Sequence, residues 1–147
     1  MGRVVGIDYG QRRIGLSLSD ETETIASPYA VVEGEEALMA RLRILYDEEG
    51  LDRIVLGLPL NMDGSAGPKA QETLRLKGRL EKALGLPVET CDERLSTVQA
   101  LDHLAMAGVR GRKRRARVDK VAAQIILQSY LDERRVRHEG PEPPLEA

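Results

Sequence analysis

The stretch RVVGIDYGQRRIGLSLSD, residues 3–20, carries the pattern that decides the fold. It holds two short apolar runs, at residues 4–7 and 14–19, separated by a turn that contains Gly10. The second run alternates apolar residues with small or polar ones, which is typical of a half-buried strand. We therefore predict a β-hairpin, with Asp8 at the end of its first strand and at the edge of a sheet.

Helices and strands alternate after this hairpin. We predict a third strand at residues 24–33, which Pro28 places near an edge or a bulge, and further strands at 53–58 and 88–91. We predict helices at 35–50, from Pro68 to about 84, at 97–107 and at 118–135. The residues expected to face inward are Leu38, Leu42, Leu45 and Tyr46, then Leu74, Leu80 and Leu84, then Val98, Leu101, Leu104 and Ala105, then Val121, Ala122, Ile125, Ile126 and Leu131.

This order predicts an α/β fold with a five-stranded mixed sheet, an antiparallel meander followed by parallel strands, flanked by helices. We expect one domain over residues 1–138 and a disordered tail over 139–147, which is rich in proline. Ligand sites in such sheets lie beyond the carboxyl ends of the parallel strands. Asp8, the segment 57–64 and the pair Asp92 and Glu93 all end predicted strands and should meet at that edge.

Composition excludes several classes of site and location. The chain has one cysteine, Cys91, and two distant histidines, His103 and His138, which leaves no zinc motif and no internal disulfide. We expect Cys91 to be a core residue and not a nucleophile. There is no apolar run of about 18 residues and no signal-like start, so we expect a cytoplasmic protein without a membrane partner.

The charge of the chain is strongly asymmetric. The net charge is −2, yet six of the eight residues in RGRKRRAR, 110–117, are basic, so the rest of the chain carries −8. We call residues 110–117 the basic block. It indicates a polyanion partner, and the alternative is a solvated loop. Aromatic residues make up only 3% of the chain, which favours contact with backbone phosphates or a folded shape over stacking on single strands.

Three acids are expected to meet at the sheet edge: Asp8, Glu93 and Asp119. Asp8 alone could be a turn residue, and Asp119 alone could be a first-turn acid that complements the helix dipole. Two carboxylates about 4 Å apart repel by roughly 4 kcal/mol at an effective dielectric near 20, so a cation is required. Arg94 and Lys120 are candidates, as is Mg²⁺ or Mn²⁺, which take oxygen ligands. Such ions can hydrolyse phosphodiesters, which favours a nuclease.

Four motifs in order resemble the YqgF family. They are GIDYG at 6–10 with IG at 14–15, GLPLNMDG at 57–64, DERLST at 92–97 and VDKVAAQIILQSYL at 118–131. The resemblance implies an RNase H-like fold and a nuclease that matures the 5′ end of pre-16S ribosomal RNA, similar to Holliday-junction resolvases. It also implies catalytic and metal-binding roles for Asp8, Glu93 and Asp119. It makes the 59–64 segment and the basic residues substrate-facing: Asn61, Arg94, Arg110, Arg112, Lys113, Arg114, Arg115 and Arg117.

Three alternatives stay open at this point. The substrate could be branched DNA, in which case symmetric cutting requires a homodimer in place of a monomer. The chain could be a non-catalytic RNA-binding factor of the ribosome or the transcription machinery, or it could bind ATP as actin-like kinases do, although these use two domains. The expected partner is therefore precursor ribosomal RNA or branched DNA, with a pre-ribosomal particle presenting the RNA.

Overall fold

The computed structural model describes residues 2–93 and 111–139, and in the second range it describes the side chains of residues 120–135. The predicted helix at 97–107, Arg94, Arg110 and residues 140–147 lie outside this part of the chain. No helix among the described residues has both the length and the apolar character needed to cross a bilayer.

Five strands form one sheet in the order β3-β2-β1-β4-β5. β1 pairs antiparallel with β2, and β2 pairs antiparallel with β3, while β4 runs parallel to both β1 and β5. The predicted mixed sheet, a meander followed by parallel strands, is confirmed. The elements in chain order are β1 (Arg3–Tyr9), β2 (Arg13–Ser19), β3 (Ala26–Glu33), α1 (Glu35–Glu49), β4 (Leu51–Leu58), α2 (Pro68–Leu84), β5 (Val88–Asp92) and α3 (Gly111–Glu139).

The predicted hairpin is present and places Asp8 in the central strand. Asp8 pairs with Gly15 across the hairpin, and the Gly10 amide donates a 3.2 Å hydrogen bond to the Arg13 carbonyl to close the turn. β3 is an edge strand, and its register with β2 shifts where Pro28 pairs with Ser17. Proline lacks the N–H that a regular ladder needs, so its place at an edge irregularity is the one expected.

Helices cover both faces of the sheet. α1 and α2 pack on one face, in a core that contains Ile7, Ile54 and Leu56, and α3 packs on the other, in a core that contains Val4 and Val55. Alternate residues of β4 thus enter opposite cores, so this strand is buried on both faces. We name these the α1–α2 core and the α3 core.

Two residues predicted to face inward are exposed. Leu74 of α2 is 41% exposed and Tyr46 of α1 is 49% exposed, and the buried stripe of α2 passes through Leu76 and Leu80 instead. A helix turns about 100° per residue, so Leu74 and Leu80 are separated by a rotation of roughly 240° about the axis of α2 and lie on different sides of that helix. Tyr46 likewise lies about 100° around from Leu45, outside the stripe that α1 buries.

α3 begins earlier than predicted. It starts at Gly111 and not at Val118, so the described part of the basic block is helical, and the expectation that this segment could be a loop is wrong. Arg and Lys are good helix formers, and no proline interrupts residues 111–139, so the helix continues upstream through the charged run. Its buried side chains are Ala122, Ala123, Ile126, Leu127 and Leu131, while Val121 and Ile125 are only half-buried.

α3 lies unusually close to the sheet because the residues between them are small. The Ser17 hydroxyl of β2 donates a 2.7 Å hydrogen bond to the carbonyl of Ala123. A Cβ on Gly6 of β1 would lie only 2.7 Å from the Leu127 Cβ and 3.1 Å from the Ala123 carbonyl oxygen. The glycine and the serine therefore set the height of α3 above the sheet.

Candidate active site

The carboxyl ends of three strands form one edge that carries acidic side chains. Asp8 is the penultimate residue of β1 and is half-buried. Glu93 follows β5 directly, and its amide donates a 3.2 Å hydrogen bond to the carbonyl of Leu58, the last residue of β4. The chain is therefore held at the point where Glu93 leaves the sheet.

The Glu93 carboxylate lies over Gly57 on the face of the sheet that α3 covers. A Cβ built on Gly57 would overlap Glu93 Oε2 and would lie 2.5 Å from Ile126 Cδ1. Only glycine leaves room there for both side chains. The sequence predicts that the segment 57–64 lies at this edge, but the need for glycine at position 57 comes from Glu93 and Ile126, which approach from distant parts of the chain.

The electrostatics of Glu93 show that Asp8 is near it. The pKa of the Glu93 carboxyl is raised from 4.5 to about 7, mainly by burial, with the charge of Asp8 and, to a smaller extent, that of Asp92 contributing to the rise. The charge of Lys69, at the start of α2, acts in the opposite direction on the same pKa. The structure therefore brings Asp8 and Glu93 together, as their positions at strand ends predict.

This pKa shift predicts how stability depends on pH. The folded protein binds the Glu93 proton more tightly than the unfolded chain, so this group's contribution to stability falls as pH rises from about 4.5 to about 7. The variant Glu93→Gln does not ionise and therefore does not lose stability in this way as pH rises. Because Glu93 is half-buried, we expect the variant to gain about 1–2 kcal/mol over wild type at pH 8 and almost nothing at pH 4.

Urea denaturation of both proteins in EDTA at the two pH values measures this gain. Adding Mg²⁺ or Mn²⁺ at pH 8 should raise the stability of the wild type and have less effect on the variant, because a bound cation balances the carboxylates. An equal stability difference between the two proteins at pH 4 and pH 8 would show that ionisation of Glu93 does not destabilise the folded protein.

The backbone of α3 brings position 119 toward the same edge. Gln128 bonds the backbone of Ala26 beside the amino-terminal end of β1, and Ala123 lies over Gly6, so α3 runs antiparallel to β1. From Ala123 back to Asp119 the helix rises about 6 Å, and from Gly6 to Asp8 the strand advances about 6.6 Å. The backbone of Asp119 therefore lies toward the carboxyl end of β1, on the Asp8 side of Gly6.

A complete metal-binding cluster is not visible among the described side chains. Over residues 2–93 and 120–135, no three acidic, histidine or cysteine side chains lie close enough together to hold a metal ion. The side chain of Asp119 is outside that set, so the three-acid cluster stays a prediction.

The described part of the basic block starts at the same edge. Arg112, Lys113, Arg114, Arg115 and Arg117 occupy the first two turns of α3, although their side chains are not described. Because α3 runs antiparallel to β1, its amino-terminal end extends past the carboxyl edge of the sheet. The backbone therefore places these residues beyond the acids.

The segment after β4 forms a loop that is held by internal side-chain hydrogen bonds. The Asn61 amide nitrogen donates to Ser65 Oγ at 2.9 Å, and Asp63 Oδ1 accepts bonds from the Ser65 amide at 2.9 Å and the Ser65 hydroxyl at 2.6 Å. Asp63 therefore acts as a turn residue. These bonds hold Met62, which is 86% exposed, at the tip. Contact of Asn61 with nucleic acid stays a prediction.

Cys91 has no sign of reactivity. Its side chain is partly buried beside the α3 core, and burial raises the pKa of its thiol to about 11, with nearby Glu133, Asp92 and Glu93 adding to the rise. A thiol with that pKa is protonated at neutral pH and is a poor nucleophile. Cys91 thus packs at the margin of the α3 core, and the absence of a nucleophilic role stays a prediction.

Comparison with known families agrees with this geometry. The model of the RuvX family, described as Holliday junction resolvase, matches residues 2–133. The chain belongs to the RuvX family. RuvX and YqgF name one family, so the resemblance carried by the four motifs is confirmed.

Relatives in the RuvX family cover nearly the whole chain. A Chloroflexus aurantiacus protein named "Putative pre-16S rRNA nuclease" is 42% identical over 134 residues, covering 90% of this chain and 88% of the relative. A Halothermothrix orenii protein of the same name is 43% identical over 132 residues, covering 88% of this chain and 94% of the relative.

A solved structure supports the fold. Thermus thermophilus RuvC in complex with a Holliday junction substrate matches with a TM-score of 0.53 at 17% identity, covering 91% of this chain and 96% of that chain. RuvC has an RNase H-like fold, and the predicted fold class of this RuvX member is therefore confirmed.

Proposed function

We propose that this chain is a metal-dependent endonuclease that cuts structured RNA and processes the 5′ end of pre-16S ribosomal RNA. The observation that carries the proposal is the proximity of Asp8 to a half-buried Glu93 at the carboxyl edge of the sheet. The names of the relatives supply the RNA substrate, and membership of a resolvase family supports phosphodiester hydrolysis.

Asp8, Glu93 and Asp119 would hold Mg²⁺ or Mn²⁺. The donors fit such an ion because all are carboxylate oxygens, which hard divalent cations prefer, and because Asp8 and Glu93 carry negative charge that burial makes costly. When bound, such ions activate water and stabilise the leaving oxygen of a phosphodiester. The chain itself keeps the carboxylates in place, through the Glu93 amide bond to Leu58 and the clearance over Gly57.

The decisive experiment is incubation of purified protein with an end-labelled precursor of small-subunit ribosomal RNA, with Mg²⁺, Mn²⁺ or EDTA. We expect metal-dependent products of defined length. RNA that is bound but never cut, even when pre-ribosomal particles are added, would favour the non-catalytic binding factor instead.

A second candidate substrate is the four-way DNA junction, which the description of the family favours. Symmetric cutting of a junction needs two active sites and hence a dimer. Cleavage of a labelled junction at paired positions, by a protein that sediments as a dimer, would establish this substrate. A protein that stays monomeric at the assay concentration would count against it.

The basic block should govern RNA affinity. Replacing Arg112, Arg114 and Arg115 with Gln, which keeps helix propensity, is expected to make the slope of log K against log salt shallower by about 2 to 3, because three phosphate contacts are lost. Fluorescence anisotropy with labelled precursor RNA measures the slope, and circular dichroism checks the helix. The matched control replaces Arg43, Arg75 and Lys82, which are exposed on α1 and α2, with Gln. Equal slopes for the two triple variants would leave the basic block without a binding role.

A further inference from the structure

A cavity of about 270 Å³ adjoins the acidic edge. It lies between the turn that follows β1 and the first turns of α2, and Tyr9, the residue next to Asp8, forms part of its wall. Strand alternation puts Tyr9 on the face that α1 and α2 cover and Asp8 on the α3 face, so the cavity and the acids meet at the carboxyl edge of the sheet. Its lining residues are Tyr9, Gly10, Gln11, Lys69, Glu72 and Thr73.

Lys69 supplies positive charge between the cavity and the acids. This residue lines the cavity, and its charge also acts on the Glu93 carboxyl, whose pKa it lowers against the larger effect of burial. The side chain is exposed and can reach a ligand. A lysine that lines an open cavity at the carboxyl edge of the sheet suits an anionic group there, such as a phosphate of a nucleic-acid strand.

Tyr9 supplies a flat, firmly held surface. Its ring is half-buried against the α1–α2 core, and Arg79 lies beside its hydroxyl group. Arg79 is itself held by Glu35 through two hydrogen bonds of 2.7 Å. The chain has no Phe or Trp and only four Tyr, and the other three lie in β3, α1 and α3. Tyr9 is thus the aromatic residue at the acidic edge.

We propose that this cavity is the subsite for a single nucleotide adjacent to the cleaved phosphodiester. Lys69 contacts a phosphate of that nucleotide and the Tyr9 ring stacks on its base. The inference rests on the proposed function. The volume is just below the roughly 300 Å³ at which pockets for drug-sized ligands begin, which suits one nucleotide and not a larger ligand. Glu72 repels phosphate, so the phosphate is expected on the Lys69 side.

The first test compares Lys69→Gln with Lys82→Gln, which removes the same charge from the last turn of the same helix. Binding of a fluorescein-labelled RNA hairpin with a single-stranded 5′ extension is followed by anisotropy in EDTA, where only monovalent salt varies. We expect Lys69→Gln to weaken binding about 5- to 10-fold and to make the salt slope shallower by about 0.7 to 0.9, the value for one phosphate. Lys82→Gln should bind as the wild type does.

The second test separates the ring of Tyr9 from its hydroxyl group. We expect Tyr9→Phe to bind the RNA as the wild type does and Tyr9→Leu to bind at least about 5-fold more weakly, since stacking on one base is lost. Thermal melting confirms that both variants fold, and the Lys69 comparison does not depend on either of them.

The outcomes distinguish this inference from the proposed function. Equal binding and equal salt slopes for the two lysine variants overturn the subsite, even if the wild type cuts RNA. If no condition gives cleavage, nuclease activity is rejected, and a salt slope made shallower by the value for one phosphate in Lys69→Gln alone then supports a nucleotide-binding cavity but overturns its place beside a cleaved phosphodiester.

Discussion

Replacing Glu93 with Gln is expected to abolish RNA cleavage while leaving RNA binding intact. Gln has nearly the same shape as Glu, so it can occupy the space over Gly57, but it cannot offer a charged oxygen pair to a divalent ion. Loss of a metal-binding carboxylate removes several kcal/mol of transition-state stabilisation, so we expect a fall in cleavage rate of at least about 10²-fold.

Asp92→Asn is the matched control for this prediction. Asp92 is the preceding residue, is exposed, and also ends β5, so its loss changes the net charge of the edge by the same amount. Single-turnover cleavage of the labelled precursor should fall only for Glu93→Gln, while anisotropy shows similar RNA affinity for both variants. Turnover by Glu93→Gln close to that of the wild type would reject the acidic site.

Replacing Gly6 with Val is expected to destabilise the protein by at least about 3 kcal/mol, because the α3 core has no room for a larger side chain. A Cβ at this position would lie 2.5 Å from Ser17 Oγ and 2.7 Å from the Leu127 Cβ, and both belong to elements that are fixed by other contacts. Local propensity alone predicts the opposite result, because Val is favoured over Gly in strands.

Gly78→Ala provides the contrast for Gly6→Val. Gly78 is an exposed residue of α2, and a Cβ added to it would meet no atom within 4 Å, so alanine should stabilise the helix by up to about 1 kcal/mol. Urea denaturation at one pH gives both free energies of unfolding. A Gly6→Val variant as stable as the wild type would mean that α3 does not rest on β1 at this distance.

Local sequence patterns were sufficient to predict those elements whose environment depends on residues that are close together in the chain. The alternation in residues 14–19 predicted β2, the apolar run before Pro59 predicted β4, and the end of each strand located Asp8 and Glu93 at one edge. The start of α3 was missed because a run of like charges resembles a solvated loop, although Arg and Lys favour helix. Tyr46 and Leu74 are exposed against prediction because the buried stripe of a helix is narrow. A shift of one position along the chain is enough to move a side chain off that stripe.

The sequence by itself determined the antiparallel meander and the parallel strands that follow it, the family and the acidic residues at the strand ends, because hydrophobic periodicity and short motifs are local properties of the chain. Only the tertiary structure decided which glycines are required, since the need for Gly6 and Gly57 comes from Leu127 and Glu93, which approach from distant positions in the chain. It also decided that Lys69 and Tyr9 line one cavity at the carboxyl edge of the sheet. Such juxtapositions arise when α2 and α3 pack on opposite faces of the sheet, and no spacing within the sequence records them.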